Sequence, residues 1–141
     1  MEELNMNLVE GLLNADQAKA KEYATGTFKS KRLAKVMGVD EPVEITIREV
    51  DLDTIKNIRE YATKKDGSFD AGKSFDSNFM LVAEGIVDPD LNNEELQKHF
   101  GVDSATKLAE VLFRFEANFI ADAIIKLSNM SLEDAGDIIK N

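Results

Sequence analysis

The chain has 141 residues, with 17 Lys and Arg against 27 Asp and Glu, a formal net charge of −10. This length predicts one domain that buries about two thirds of the surface its unfolded chain exposes. There are no cysteines and His99 is the single histidine, so disulfides, zinc–thiolate sites and thiol catalysis are excluded, and at −10 the chain as a whole repels nucleic acid and anionic membranes.

No run approaches the ~20 apolar residues that cross a bilayer. The first residues include Glu2 and Glu3 rather than the basic start of a secretory signal, so the expectation is a soluble cytoplasmic protein. Leu8, Val9, Leu12 and Leu13 fall at i, i+1, i+4 and i+5, one face of a helix. The apolar signal then stops, and residues 14–27 are polar. Residues 1–26 therefore read as an amphipathic arm with a polar linker. The stripe of Leu8, Val9, Leu12 and Leu13 is the candidate protein-binding site, and it has two uses open to it: folding back on the core, or docking on another chain.

Residues 17–36 carry a local charge of +5, against −4 for residues 1–16 and −11 for the remainder. Neutralisation by acidic helices of the same domain is the expected use of that basic stretch. Leu33, Val36 and Met37 followed by Gly38 predict a short helix with a glycine stop. Val43, Ile45 and Ile47 alternate with polar residues, the clearest strand in the chain. A lone strand leaves its backbone unpaired, and the nearby candidate partner is 27–32. The expected fold class is thus mainly α (α+β): a helical domain over 27–130 with one small antiparallel β pair near the N-terminus.

Beyond Asp53 the pattern is helical. Asp51 or Asp53 can cap a helix carrying Ile55, Ile58 and Ala62 inward. Phe75, Phe79, Val82, Ala83 and Ile86 mark a second, with Met80, Leu81 and Val87 making it apolar nearly all round and so central. Asn92 with Glu95 three residues on resembles a capping box. Asp103 or Ser104 opens the longest helix, in which Leu108, Leu112, Phe115 and Phe119 continue into Ile120, Ala123, Ile124 and Leu127. The stripe Phe79, Val82, Ile86, Leu112, Phe115 and Phe119 is expected in the core. Residues 131–141 form a short acidic C-terminal segment.

Gly67-Ser68-Phe69-Asp70-Ala71-Gly72-Lys73-Ser74 satisfies the phosphate-loop pattern G-x-x-x-x-G-K-S. Such a loop works between a buried strand and a helix, with backbone N–H groups aimed at phosphate. Here helical spacing precedes it, and Asp70 opposes a phosphate's charge. A nucleotide hydrolase using Gly67 to Ser74 is the rival reading from the enzyme class, and an acidic regulator mimicking nucleic acid is a second rival. Asp88, Asp90 and Asn92 offer oxygen at alternate positions, but Asn93 stands where a calcium loop needs glycine, so a turn and helix cap is expected there. His99 reads as a boundary histidine. Glu84 and Glu116 sit in apolar stretches and are expected on exposed helix edges. No catalytic constellation, metal set or cofactor motif emerges.

The order of pieces carries a resemblance. Lys31-Arg32-Leu33 leads to Met37-Gly38 and the strand 43–47, then Ile58-Arg59-Glu60, Phe69-Asp70 and Phe79. Next come Ala83-Glu84-Gly85-Ile86-Val87-Asp88-Pro89-Asp90-Leu91, the most specific block, then Glu95-Leu96, Phe100-Gly101 and Ala109-Glu110. Ile120-Ala121-Asp122 and Ile125-Lys126-Leu127-Ser128 close the series. Over roughly residues 27–130 this resembles the XkdN-like tail assembly chaperones of phages and prophages. The resemblance implies a non-enzymatic protein without cofactors that holds the tape-measure protein soluble in the host cytoplasm, and that is absent from the mature virion. Self-association is open to it; nucleic acid and membrane are not expected partners. At Phe113-Arg114-Phe115-Glu116-Ala117 the chain departs from the family's usual Pro- and Gly-containing turn, which predicts that the last long helix runs through.

Overall fold

A computed structural model of the chain describes residues 7–128; the 131–141 segment and the first six residues lie outside the described part. Two short helices come first, α1 (Leu8–Leu13) and α2 (Gln17–Lys21), each opened by a side-chain cap, Asn7 and Asp16. Neither contains a buried residue. The polar stretch after Leu13, which by sequence is a fraying helix end or a linker, holds the separate short helix α2.

β1 (Thr25–Ser30) pairs antiparallel with β2 (Val43–Arg48), from Thr25 opposite Arg48 to Ser30 opposite Val43. Lys31 and Arg32, expected in the strand, open α3 (Lys31–Met37) instead. Ser30 is the reason: its hydroxyl accepts from the Leu33 N–H at 2.9 Å and caps the helix. Gly38, at φ 71°, ends α3 in the left-handed conformation that glycine takes without cost.

After α4 (Leu52–Tyr61), α5 (Ala71–Gly85) runs through the middle of the molecule and packs on α4 and on the helical segments 105–113 and 117–128. The sheet corrects the expectation of a single β pair. Ile86–Asp88 is a third strand, β3, pairing antiparallel with the free edge of β2, so the order is β1-β2-β3. The spacing of Ile86 and Val87 extends that of Val82 and Ala83 and predicts the end of a helix there. The helix stops at Gly85, where a Cβ would stand 2.5 Å from Ile124 Cδ1. That contact lets α5 and the helical segment 117–128 approach closely, and β2 offers backbone groups that β3 satisfies.

α6 (Glu94–His99) is capped by Asn93, one residue later than expected. α7 (Ala105–Phe113) is capped by Ser104. The predicted continuous helix then breaks. Arg114–Glu116 form a 3-10 turn, and α8 (Ala117–Ser128) follows. Arg114 sits at φ 50°, ψ −130°, the one positive-φ non-glycine among the described residues. Two buried commitments flank the break. Phe113 is fully buried. Glu116 reaches back to α3, accepting from the Ser30 hydroxyl, from Lys31 N–H at 3.0 Å and from Arg32 N–H at 3.2 Å. A straight helix would not serve both.

The break also moves the buried stripe. α8 buries Ala117, Ile120, Ala121 and Ile124, at i, i+3, i+4 and i+7. Phe115 and Phe119, expected in the core, are exposed. Phe79 is half-buried, while Val82, Ile86 and Leu112 are buried as expected. The core joins these to Ile45, Ile47, Leu81, Leu91, Leu108 and Phe113.

Candidate functional site

Two apolar surfaces stand out on this frame. On α1, Leu8, Val9, Leu12 and Leu13 are 65–79 % exposed. The candidate residues share one helical face as the spacing implies. The arm joins the domain at a defined point. Ala24 N–H donates to the Glu49 carboxylate at 2.8 Å and its carbonyl accepts from Glu49 N–H at 2.8 Å. Tyr23 donates its hydroxyl to Asp51 at 3.0 Å, with the Arg48 guanidinium 4.8 Å from its ring centre. Hydrogen bonds from the Thr54 and Tyr23 hydroxyls hold the Asp51 carboxyl below the usual carboxylate range.

The second surface is an open groove of about 510 Å³ where α5 meets the end of α7, lined by Phe75, Phe79, Glu110, Val111, Arg114 and Phe115. Phe75 is 48 % exposed, Phe115 65 % and Phe119 60 %. Their rings form a row, with centroids 6.4 Å apart for Phe75–Phe115 and 6.0 Å for Phe115–Phe119. Polar bonds brace the elements beneath. Arg59 of α4 donates to Ser77 and Asn78 of α5 at 3.2 and 3.1 Å, and the Asn78 amide donates to Asn118 of α8 at 2.7 Å. Sequence reasoning missed this groove because it assigned Phe115 and Phe119 to one long inward stripe. The competing stripe of Ala117, Ile120, Ala121 and Ile124 was there to read, and two charged residues flank Phe115.

The phosphate-loop match has no phosphate geometry. The residues before Gly67 are helix α4 and a single bridge between Thr63 and Phe69, not a buried strand. Asp70 caps α5 by accepting from Lys73 N–H at 3.0 Å, so a carboxylate already occupies the place a phosphate would take. That bond holds the Asp70 carboxyl below its ordinary range. Lys73 lies 5.2 Å from the Tyr61 ring centre rather than over the loop.

At the Asp88–Asn92 loop, Asp90 accepts from Asn92 N–H at 3.0 Å, an Asx turn ahead of α6. Among the described residues no group of three or more His, Asp and Glu is placed to hold a metal ion. His99 is exposed and packs edge-on against Phe100. Glu84 is exposed as expected, whereas Glu116 is half-buried and caps α3. The basic stretch 17–36 enters neither Lys107–Asp103 nor Lys126–Asp122, ion pairs between residues four apart. Among the described residues no helix is long and apolar enough to cross a membrane.

The described residues thus present two exposed apolar faces on a braced small domain, and the one nucleotide-like loop carries its own carboxylate at the helix start. The chain belongs to the phage XkdN-like tail assembly chaperone protein family, whose model matches residues 9–140. That family is non-enzymatic. No curated protein matches the chain. Among solved structures it is similar to the crystal structure of the protein YqbN, a structural-genomics target, with a TM-score of 0.51 at 13 % identity, over 77 % of this chain and 88 % of that one. At that identity the likeness concerns the fold alone.

Proposed function

We propose that this tail assembly chaperone binds the tape-measure protein of the tail and keeps it soluble while the tail is built. On this reading it works in the host cytoplasm and stays out of the finished virion. The observation that carries the reading is α1, a capped helix with four apolar side chains on one face and no buried residue. A helical cargo with an apolar stripe is the complementary surface. Each Å² of apolar contact contributes roughly 25 cal/mol before the costs of association are subtracted. The charge of −10 keeps loaded complexes apart. A cargo that repeats its stripe offers several equivalent sites.

Co-expression with the tape-measure protein, followed by pull-down at low and high salt, tests this. The expected result is soluble cargo that stays bound in high salt, and loss of both with Leu8→Ser plus Leu12→Ser. Cargo equally insoluble with and without the chaperone sinks the proposal. Cargo that separates at moderate salt makes the attraction electrostatic and removes the arm from the mechanism.

A further inference from the structure

We propose that the outer edge of β1 takes up an extended acidic segment of a partner protein as a fourth strand of the sheet. This edge is a surface apart from the cargo face on α1.

β1 has β2 on one side and no described strand on the other. Glu49 N–H donates to the Ala24 carbonyl, and the register of the two strands continues from that pair. In an antiparallel pair, residues that bond the neighbouring strand alternate with residues that turn their backbone away from it. Gly26, Phe28 and Ser30 therefore bond toward β2, and Thr25, Thr27 and Lys29 direct N–H and C=O outward. These three are exposed. Among the described residues no strand or loop takes up their outward groups. The two edges of the sheet also differ in length. β3 has three residues, whereas β1 offers six. A long open edge is a template for another extended chain. Backbone bonds then supply the affinity, and side chains choose the partner.

Charge makes the choice. β1 lies inside the stretch 17–36, which carries +5 in a chain of −10. Lys29 on the strand and Lys31 just after it are exposed, and among the described residues neither enters an ion pair. Glu44 stands opposite Lys29, but on β2, one strand farther from the edge. Two copies of this edge would bring two +5 stretches together. A lysine guards an edge against its like and leaves it open to an acidic strand. The other face of β1 sets the alternation. Gly26 and Phe28 are half-buried on the core side, and Leu127 of α8 is 3.3 Å from where a Cβ at Gly26 would stand. Apolar residues of the incoming strand extend that side next to Phe28. Acidic residues alternating with them fall on the side of Lys29.

Amide exchange read residue by residue on the full chain tests this. In the free chain the Thr25, Thr27 and Lys29 N–H groups, corrected for intrinsic rates, should exchange at least ~10-fold faster than those of Gly26, Phe28 and Ser30. An end-blocked hexapeptide of alternating Glu and Val should bind with a Kd tighter than about 1 mM and remove most of that difference. The same peptide with Lys in place of Glu should leave it standing. Lys29→Glu should weaken the acidic peptide about 5-fold, by turning an attraction at an exposed site into a repulsion. Thr27→Pro should abolish binding while sparing the β1–β2 bonds, because the N–H it removes points outward. Melting curves check the fold of both variants, and Lys29→Glu decides alone if the proline unfolds the chain. Leu8→Ser plus Leu12→Ser, which disables the cargo face on α1, should leave peptide binding unchanged, so the two readings fail separately. The proposal falls if the three amides are as slow as their neighbours in the free chain, which means the chain covers its own edge. It falls if the acidic peptide leaves them fast, if the Lys peptide binds equally, or if Lys29→Glu binds like the parent. Amides that are slow in concentrated free chain and fast on dilution would assign the edge to a second copy and overturn it.

Discussion

The arm helix and the aromatic groove both present apolar side chains to water, for different physical reasons. α1 is a short helix at the edge of the described chain: it is six residues long, capped by Asn7, and buries none of its own side chains. An isolated helix of that length is marginal in water. The groove is exposed because the core beneath it is committed elsewhere. Phe113 takes the interior position, Glu116 takes the start of α3, and α8 turns Ala117, Ile120, Ala121 and Ile124 inward. Phe115 and Phe119 are what remains outside. Exposed apolar area alone therefore does not define one kind of site. The arm helices contribute no buried residue to the fold; the groove is lined from α5 and α7, which carry much of the core.

Matched truncations test that difference most strongly. Leu112→Ala, buried on the helix that carries Val111, should cost about 2–5 kcal/mol in chemical denaturation, by lost transfer energy and the cavity left behind. Leu12→Ala on the arm should stay within about 0.5 kcal/mol, as exposed positions do. Equal losses would show that α1 packs on the core after all.

Next in size is the carboxylate that holds the groove's turn in place. Glu116→Ala should lose about 1.5–3 kcal/mol, because hydrogen bonds to a charged acceptor go and the Lys31 and Arg32 N–H groups lose their partner. Glu116→Gln should recover part of this. A neutral Glu116→Ala would mean that the 3-10 turn stands without its link to α3.

The boundary of the arm can be placed by two cuts. Removing residues 1–21 should leave the melting temperature nearly unchanged, since α1 and α2 contribute no buried residue. Extending the cut through Ala24 should cost about 1–2 kcal/mol more, because the Ala24–Glu49 pair and the Tyr23–Asp51 bond go with it. Loss of cooperative melting in the shorter cut would end the distinction between arm and domain.

The smallest effect has the opposite sign. Arg114→Gly should stabilise the chain by about 0.5–1 kcal/mol, since glycine takes a positive φ without the steric cost. A destabilised variant would show that the arginine side chain supports the fold.

Local physics made much of this readable in advance. The α1 face of Leu8, Val9, Leu12 and Leu13, the glycine stop at Gly38, the alternation in β2 and the cap at Ser104 depend on residues within a turn or two of one another. Those preferences act whatever the rest of the chain does. That no buried strand precedes the phosphate-loop match at 67–74 was legible too, because the spacing before it is helical; the cap that Asp70 makes there was not. Tertiary structure decided what depended on distant partners. β3 exists because β2 had an open edge and because Gly85 had to meet Ile124. The last long helix broke because Phe113 and Glu116 had separate destinations, one in the core and one at the start of α3. A periodic stripe gives the face a helix would bury if it ran straight. Whether it runs straight is set by contacts from residues some 85 positions away, and these turned Phe115 and Phe119 from core into surface.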